Sequence, residues 1–478
     1  MKRILYSILF LSCLLISKTS TAQNLVSFEF KSSLPVIAFQ LVIGSEAKYG
    51  VDSYKITYTT TDIRGALDTA SGLVSIPNTS AIVFPLGLVQ HGTVSGRDDV
   101  PSNLRGGYEL GAAFSSAGYV VMMPDYLGLG DSRGFHPYVH ADTEASAGID
   151  MILATKEFLE QRDIDINDQL FVTGYSQGGH AAMAAHRELQ ANYSETLPVT
   201  AAAPMSGPYS ISTATKATFL SDEEYQFPGY GIWTLMSYNE AYPLYDSVAQ
   251  YVKQPYATYA EAFYNEEITL DSLQRALISE LTANHGGPVV RFMFQDSIIS
   301  AITNQPDHPF NLALEDNDTY DWAPTAPTRL YYCMADDQVA FTNSVLADSV
   351  MNANGAADLM AIDVLSTANH GGCVIPASLS TLAFFNQYAN FSVVSSTKGI
   401  VELEGVNAFP NPTSGAIQLT GIPQRAQLQV FDMQGRIQKN AVLTQGTNDL
   451  DIADLSQGIY LFRVVAENGV WNRQIIKR

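Results

Sequence analysis

Residues 171–183, FVTGYSQGGHAAM, constrain this chain more than any other stretch. An apolar run of strand character stops at Thr173, and an alanine-rich, helix-forming stretch opens at Gly178-Gly179. Ser176 stands at the corner between them, framed by Gly174 and Gly178 in a G-x-S-x-G pattern. A serine at a strand-to-helix corner must take up a strained turn if its hydroxyl is to stand clear of the sheet. Side chains at the flanking positions would collide with the neighbouring strand or helix, so those positions are glycine. Such a corner demands a sheet before it and a helix after it.

That sheet is legible along the chain. Short β-rich runs lie at 82–89, 119–123, 170–173, 199–203, 330–333 and 360–365. Between several of them lie helical patterns, with apolar residues at helical spacing over 143–161 and many alanines over 179–189. Near-continuous apolar strands alternating with helices imply a parallel sheet covered on both faces. Earlier runs at 54–60 and 72–76 read as an antiparallel lead-in. The expected fold is α/β, a doubly wound and mostly parallel sheet over residues 23–390.

The alternation breaks between about 209 and 327, a span far longer than a connecting loop needs. Its helical stretches predict a cap over the carboxyl edge of the sheet. Aromatics crowd its first half, among them Tyr225, Tyr230, Trp233, Tyr238, Tyr251 and Tyr256. They serve the cap's own core or the site beneath it, and the sequence leaves both open.

The ends differ from the body. Lys2 and Arg3 precede the apolar stretch 4–16, and Ser20-Thr21-Ala22 closes it with small residues. That pattern describes a cleavable secretory signal over 1–22 rather than a retained anchor. No other segment approaches the ~20 apolar residues a spanning helix needs, so no transmembrane segment is expected. After a linker at 391–404, residues 405–478 alternate strands with Asp, Asn and Gly turns and predict a small all-β sandwich. Residues 23–404 carry 16 basic against 43 acidic side chains, and 405–478 carry 7 against 5. A body this acidic repels phosphate backbones and anionic membranes, which argues against a nucleic-acid partner. Asp163–Asn167 (DIDIN) and Asp316-Asn317-Asp318 echo calcium loops but lack the glycine and the distal glutamate. His136 and His140 share a loop with no third ligand in view, so no metal or other cofactor is expected.

A nucleophilic serine needs a base and a group that orients the base. The run at 330–333 leads into Asp336-Asp337, and the run at 360–365 leads into Asn369-His370-Gly371. Both fall just past the carboxyl end of a strand, where the catalytic loops of open α/β sheets gather. The order Ser176, Asp336, His370 is the order of this kind of corner. Asp336, three residues past its strand, is preferred over Asp337. A developing oxyanion needs two backbone N–H donors: Gln177, which follows the serine, and Thr93, in the loop after the run at 82–89. His91 and Gly92 let that loop turn inward and support it. Cys333 precedes Asp336 by three residues and Cys373 follows His370 by three. Contact between acid and base would draw these cysteines together, predicting a disulfide in an exported chain; two separately buried thiols are the alternative.

The set QHGT, PDYLGLGDS, HPYVHADTEASAGIDMILA, GYSQGG, MADDQV and NHGG resembles the α/β-hydrolases, and among them the secretory lipase-like serine esterases, over about residues 50–390. The resemblance implies Ser176 as nucleophile, Asp336 as acid, His370 as base, and lipid or other apolar esters as substrates. Cys333 departs from it, because related hydrolases often carry glycine there. The cap matches no motif, so substrate choice stays open. AFPNPTSG, VFDMQGR and LSQGIYLFRV, with a basic end, resemble the sorting domain of type IX secretion substrates. That implies a Gram-negative host, the type IX machinery as partner, and passage through the periplasm to the cell surface or medium; a carbohydrate-binding sandwich is the alternative. Two other functions stay open: a prolyl-oligopeptidase-type serine peptidase, and a surface binding protein with a vestigial triad. No propeller repeat precedes residue 50 to favour the peptidase.

Overall fold

The computed structural model describes residues 24–80, 82–391, 403, 405–423, 426–432, 437–466 and 469–478. The signal expected at 1–22 and nearly all of the linker expected at 391–404 lie outside them. The chain divides into two compact units, residues 1–393 and 394–478.

The larger unit is built on nine strands: β1 Leu25–Leu34, β2 Val51–Thr61, β3 Leu67–Pro77, β4 Phe84–Gln90, β5 Val120–Pro124, β6 Ile166–Tyr175, β7 Val199–Met205, β8 Thr328–Tyr332 and β9 Leu359–Asp363. They form one sheet in the order β1-β2-β3-β5-β4-β6-β7-β8-β9. Pairing is antiparallel from β1 to β5 and parallel from β5 to β9. Successive side chains of a strand face opposite sides of the sheet, so a strand covered on both faces must be apolar throughout. Leu88 and Val172 face a core shared with Ile149, Met151, Phe158 and Leu189 of the helices Ala141–Gln161 and Gln177–Asn192. Their neighbours Val89 and Phe171 face a core shared with Phe114, Leu382 and Phe385 of the helices Tyr108–Ala117 and His370–Phe385.

Two features of this unit were not anticipated. β1 and the helix Val36–Ile43 precede the lead-in strands. β1 is a sheet edge on which Val26, Phe28 and Phe30 stay exposed, so it lacks the buried alternation that marks a strand. β6 begins at Ile166, four residues before the apolar run at 170, because Ile166 pairs with Phe84 across β4. That pairing belongs to the neighbouring strand and leaves no periodic trace in the polar segment INDQ.

Between β7 and β8 stand the helices Gly229–Ala241, Tyr256–Tyr264, Leu270–His285, Asp296–Asn304 and Pro309–Asp316. They enclose a core of their own around Ile232, Trp233, Tyr238, Tyr256, Leu273 and Leu277. The cap's aromatics therefore do both jobs, since Tyr225 and Tyr230 also reach the loop after β8.

The smaller unit has one sheet of Asn407–Phe409, Ala416–Ile422 and Gly446–Asp451. A second holds Ala426–Phe431, Ile437–Leu443, Gly458–Ala466 and Gly469–Lys477. Strands within both sheets pair antiparallel around Leu419, Val430, Phe462, Val464 and Ile475, all buried.

Candidate active site

Ser176 joins β6 to the helix Gln177–Asn192 with φ 62° and ψ −123°. A positive φ on a residue with a Cβ is strained and persists only where the surroundings impose it. Here they do. A Cβ at position 174 would lie 2.2 Å from the Gly178 carbonyl oxygen, and one at 178 would lie 2.1 Å from that of Gln90. One at 179 would lie 2.4 Å from the Met205 carbonyl oxygen. Each obstacle is backbone and cannot swing aside. The Ser176 N–H donates to that same Met205 oxygen at 3.0 Å, fixing the corner to β7.

Asp336 and His370 emerge from the carboxyl ends of β8 and β9. Asp336 Oδ2 lies 2.7 Å from His370 Nδ1. Asp336 Oδ1 accepts the Gln338 and Val339 N–H groups at 2.9 and 2.8 Å. Asp337 does a different job, accepting the backbone N–H of His370 at 3.1 Å. Asn369 caps the helix His370–Phe385 through the Gly372 N–H. Tyr175, next to Ser176, donates its hydroxyl to the His370 carbonyl at 2.6 Å and so ties the serine corner to the histidine turn. No hydrogen bond joins the Ser176 hydroxyl to His370 among the described residues. Such contacts are often loose until substrate binds. Cys333 and Cys373 form a disulfide with Cα atoms 6.0 Å apart. It staples the two loops that carry Asp336 and His370.

The loop after β4 lies against the corner. A Cβ at Gly92 would stand 3.3 Å from the Tyr175 carbonyl oxygen and 3.7 Å from Ser176 Cβ. Neither the Thr93 N–H nor the Gln177 N–H donates to another described residue. For Gln177 this follows from its place as the first residue of a helix, whose opening N–H groups have no intrahelical partner. His91 is buried, which pushes its ring below the usual histidine range. Its Nδ1 lies 2.7 Å from the Gly92 oxygen, and its ring packs 4.3 Å from that of Tyr126.

Above Ser176 and Gln177 the cap closes a cavity of about 40 Å³, walled by Tyr138, Phe219, Tyr225, Tyr230 and the 338–340 loop. A second cavity of about 40 Å³ lies deeper in the cap among Phe294, Ile298, Ile302, Phe310 and Leu314. The two have Ile211, Thr215, Phe219 and Thr234 in common among their lining residues, so they lie side by side. Tyr225 donates to the Gln338 carbonyl at 2.7 Å, and Tyr230 to the Gln338 side chain at 2.9 Å. The cap is thereby tied to the loop that carries Asp336.

Other sequence candidates resolve differently. Asp318 accepts from Ser212, and no group of three His, Cys, Asp or Glu side chains is placed to hold a metal among the described residues. His136 and Gln177 meet beneath the corner with Glu144 and His180, a buried polar group that sequence reasoning passed over. Its signal was a glutamate and a histidine inside helical stretches rich in small residues, EASAG and GGHAAMAA.

The sheet order, the strained serine corner and the acid and histidine on adjacent strand ends define an α/β-hydrolase. Residues 110–385, more than half of the chain, match the secretory lipase family, and the chain belongs to it. Residues 407–478 match the secretion system C-terminal sorting domain. Solved structures agree. A putative hydrolase from Legionella pneumophila has a TM-score of 0.70 at 27% identity, covering 76% of this chain and 98% of that one. The rice cell wall degrading esterase LipA from Xanthomonas oryzae, in a ligand-bound form, gives 0.67 at 26% identity, covering 77% and 98%. Candida antarctica lipase A in its closed state shares the fold, with a TM-score of 0.57 and 15% identity over 77% and 82%. Curated proteins give no match. The chain is a secreted lipase or esterase with a type IX sorting domain, and no helix among the described residues is long and apolar enough to cross a membrane.

Proposed function

We propose that the protein hydrolyses apolar carboxylic esters through an acyl-enzyme formed on Ser176. The Ser176 oxygen attacks the ester carbonyl while His370 Nε2 takes its proton, and Asp336 holds the ring by its Nδ1–H. The carbonyl oxygen becomes an anion and accepts from the Thr93 and Gln177 N–H groups. Collapse breaks the bond to the alcohol, which leaves with the proton from His370. Water then gives its proton to His370, attacks the acyl carbon, and frees the acid and the serine.

The observation that carries this reading is the 2.7 Å contact of His370 with Asp336, beside a serine held at φ 62°. The aromatic and aliphatic walls of the two adjoining cavities support an acyl chain lying within the cap.

A fluorophosphonate probe should label Ser176, and labelling elsewhere or not at all would sink the nucleophile. A panel of nitrophenyl esters of rising chain length should show rates that increase beyond acetyl. A flat or falling series would refute acyl binding within the cap, and turnover of peptide amides in place of esters would favour the peptidase.

A further inference from the structure

Gln177 does more than follow the serine. It is 1% exposed, and its side-chain Nε2 lies 2.8 Å from His136 Nε2 and 2.9 Å from Glu144 Oε1. His136 Nδ1 lies 2.7 Å from the Leu127 carbonyl, so Nδ1 donates and Nε2 keeps its lone pair. Both neighbours of the amide are acceptors, which requires the nitrogen of Gln177 to face them. Burial pushes His136 down to about 3, so its acceptor survives across any ordinary working pH.

The other Glu144 oxygen lies 2.7 Å from Nδ1 of His180, one turn along the helix from Gln177. His180 Nε2 lies 2.9 Å from the Asn317 carbonyl and can only donate to it. Glu144 and His180 are both fully buried. Burying so polar a pair costs desolvation, and apolar residues of the same volume often pack at least as stably. Stability alone therefore gives a weak reason for placing this pair under the serine corner, and geometry gives a better one. The amide joins the pair and the His136 loop to the residue that follows the serine.

Building on the reading of Ser176 as nucleophile, we propose that Glu144, His180 and His136 are positioning residues for the oxyanion site. They pin the Gln177 side chain and thereby hold its backbone N–H at the angle the tetrahedral intermediate requires. The cap reaches the same group, since Trp233 Nε1 and Ser237 Oγ both donate to the His136 carbonyl. Its position is thus felt at the oxyanion donor.

The test uses the full chain with Gln177→Met, which removes the amide at similar volume, Glu144→Gln, and the pair combined. Fluorophosphonate titration counts competent serines, so that kcat refers to folded protein alone. Loss of a whole oxyanion donor costs ~10²–10³ in kcat. Misplacing one should cost about tenfold to a hundredfold, with KM nearly unchanged. Phenylboronic acid, which forms a tetrahedral adduct on the serine, should lose affinity by a similar factor. The double variant should be little worse than the worse single one, as expected of residues acting through one path. Unchanged kcat in labelled Gln177→Met, or a raised KM with full boronate affinity, overturns the positioning role alone. Absence of label on wild-type Ser176 overturns the nucleophile and this proposal with it. Should Glu144→Gln not fold, Gln177→Met decides the matter.

Discussion

On the proposed mechanism Ser176→Ala should lower kcat on the order of 10⁶-fold, because in a triad that acts as a unit losing one member forfeits most of the joint effect. Near-normal turnover would move the nucleophile elsewhere. Asp337→Asn should be far milder than Asp336→Asn, since Asp337 meets only a backbone N–H and Asp336 meets the ring nitrogen. A steady-state comparison of the two variants settles which carboxylate orients the base. Burial also sets an acid limit on the fold. His186 is fully buried, neither ring nitrogen has a hydrogen-bond partner among the described residues, and desolvation pushes it down to about 3. The unfolded chain keeps its ordinary value near 6.5, so below that pH unfolding takes up a proton. Stability is full above about 6.5 and declines as pH falls towards 3, by up to about 1.4 kcal/mol per pH unit for each such histidine. His186→Leu should lose less than the wild type between pH 7 and 5, read as urea midpoints. Equal losses would show that His186 does not titrate as its burial dictates.

At the scale of elements, the loops after β8 and β9 are held in register by the disulfide and by the bond from the His370 N–H to Asp337, while Tyr175 ties the histidine turn to the serine corner. Opening a closed loop of 40 residues forfeits roughly 4 kcal/mol by chain entropy. Cys333→Ser with Cys373→Ser should therefore lower the urea midpoint and also kcat, because the His370–Asp336 contact spans the stapled loops. A variant with normal kcat would show that the Tyr175 bond and the caps suffice. Gly178→Ala meets the Gln90 backbone at 2.1 Å and should not form the corner at all. The contact between the loops was legible, because each lies just past an apolar strand and the cysteines are spaced three residues from acid and base. Which of two adjacent aspartates turns inward was a preference in the sequence, and the turn after β8 decides it by lending two N–H groups to Asp336.

At the scale of the molecule, the smaller unit packs around its own core. Deleting 405–478 should leave ester hydrolysis intact in purified protein while the product accumulates in the periplasm. Loss of activity in the purified truncated protein would tie the tail to the catalytic fold; normal export would remove its sorting role.

By itself the sequence determined the parallel sheet, the serine corner, the meeting of Asp336 with His370, the cysteine pair and the export tail. Each of these is written in local periodicity or in spacings of a few residues, which the backbone geometry of strands and turns converts directly into structure. Only the tertiary structure decided the edge strand β1, the two cavities in the cap and the group linking Glu144, His136 and His180 to Gln177. These depend on which strands and helices lie side by side: Glu144 meets His180 across 36 positions, and His180 meets Asn317 across 137. A local pattern carries no record of contacts at that separation. They appear when strand order and helix packing bring distant polar atoms into one dry space, where each must find a partner.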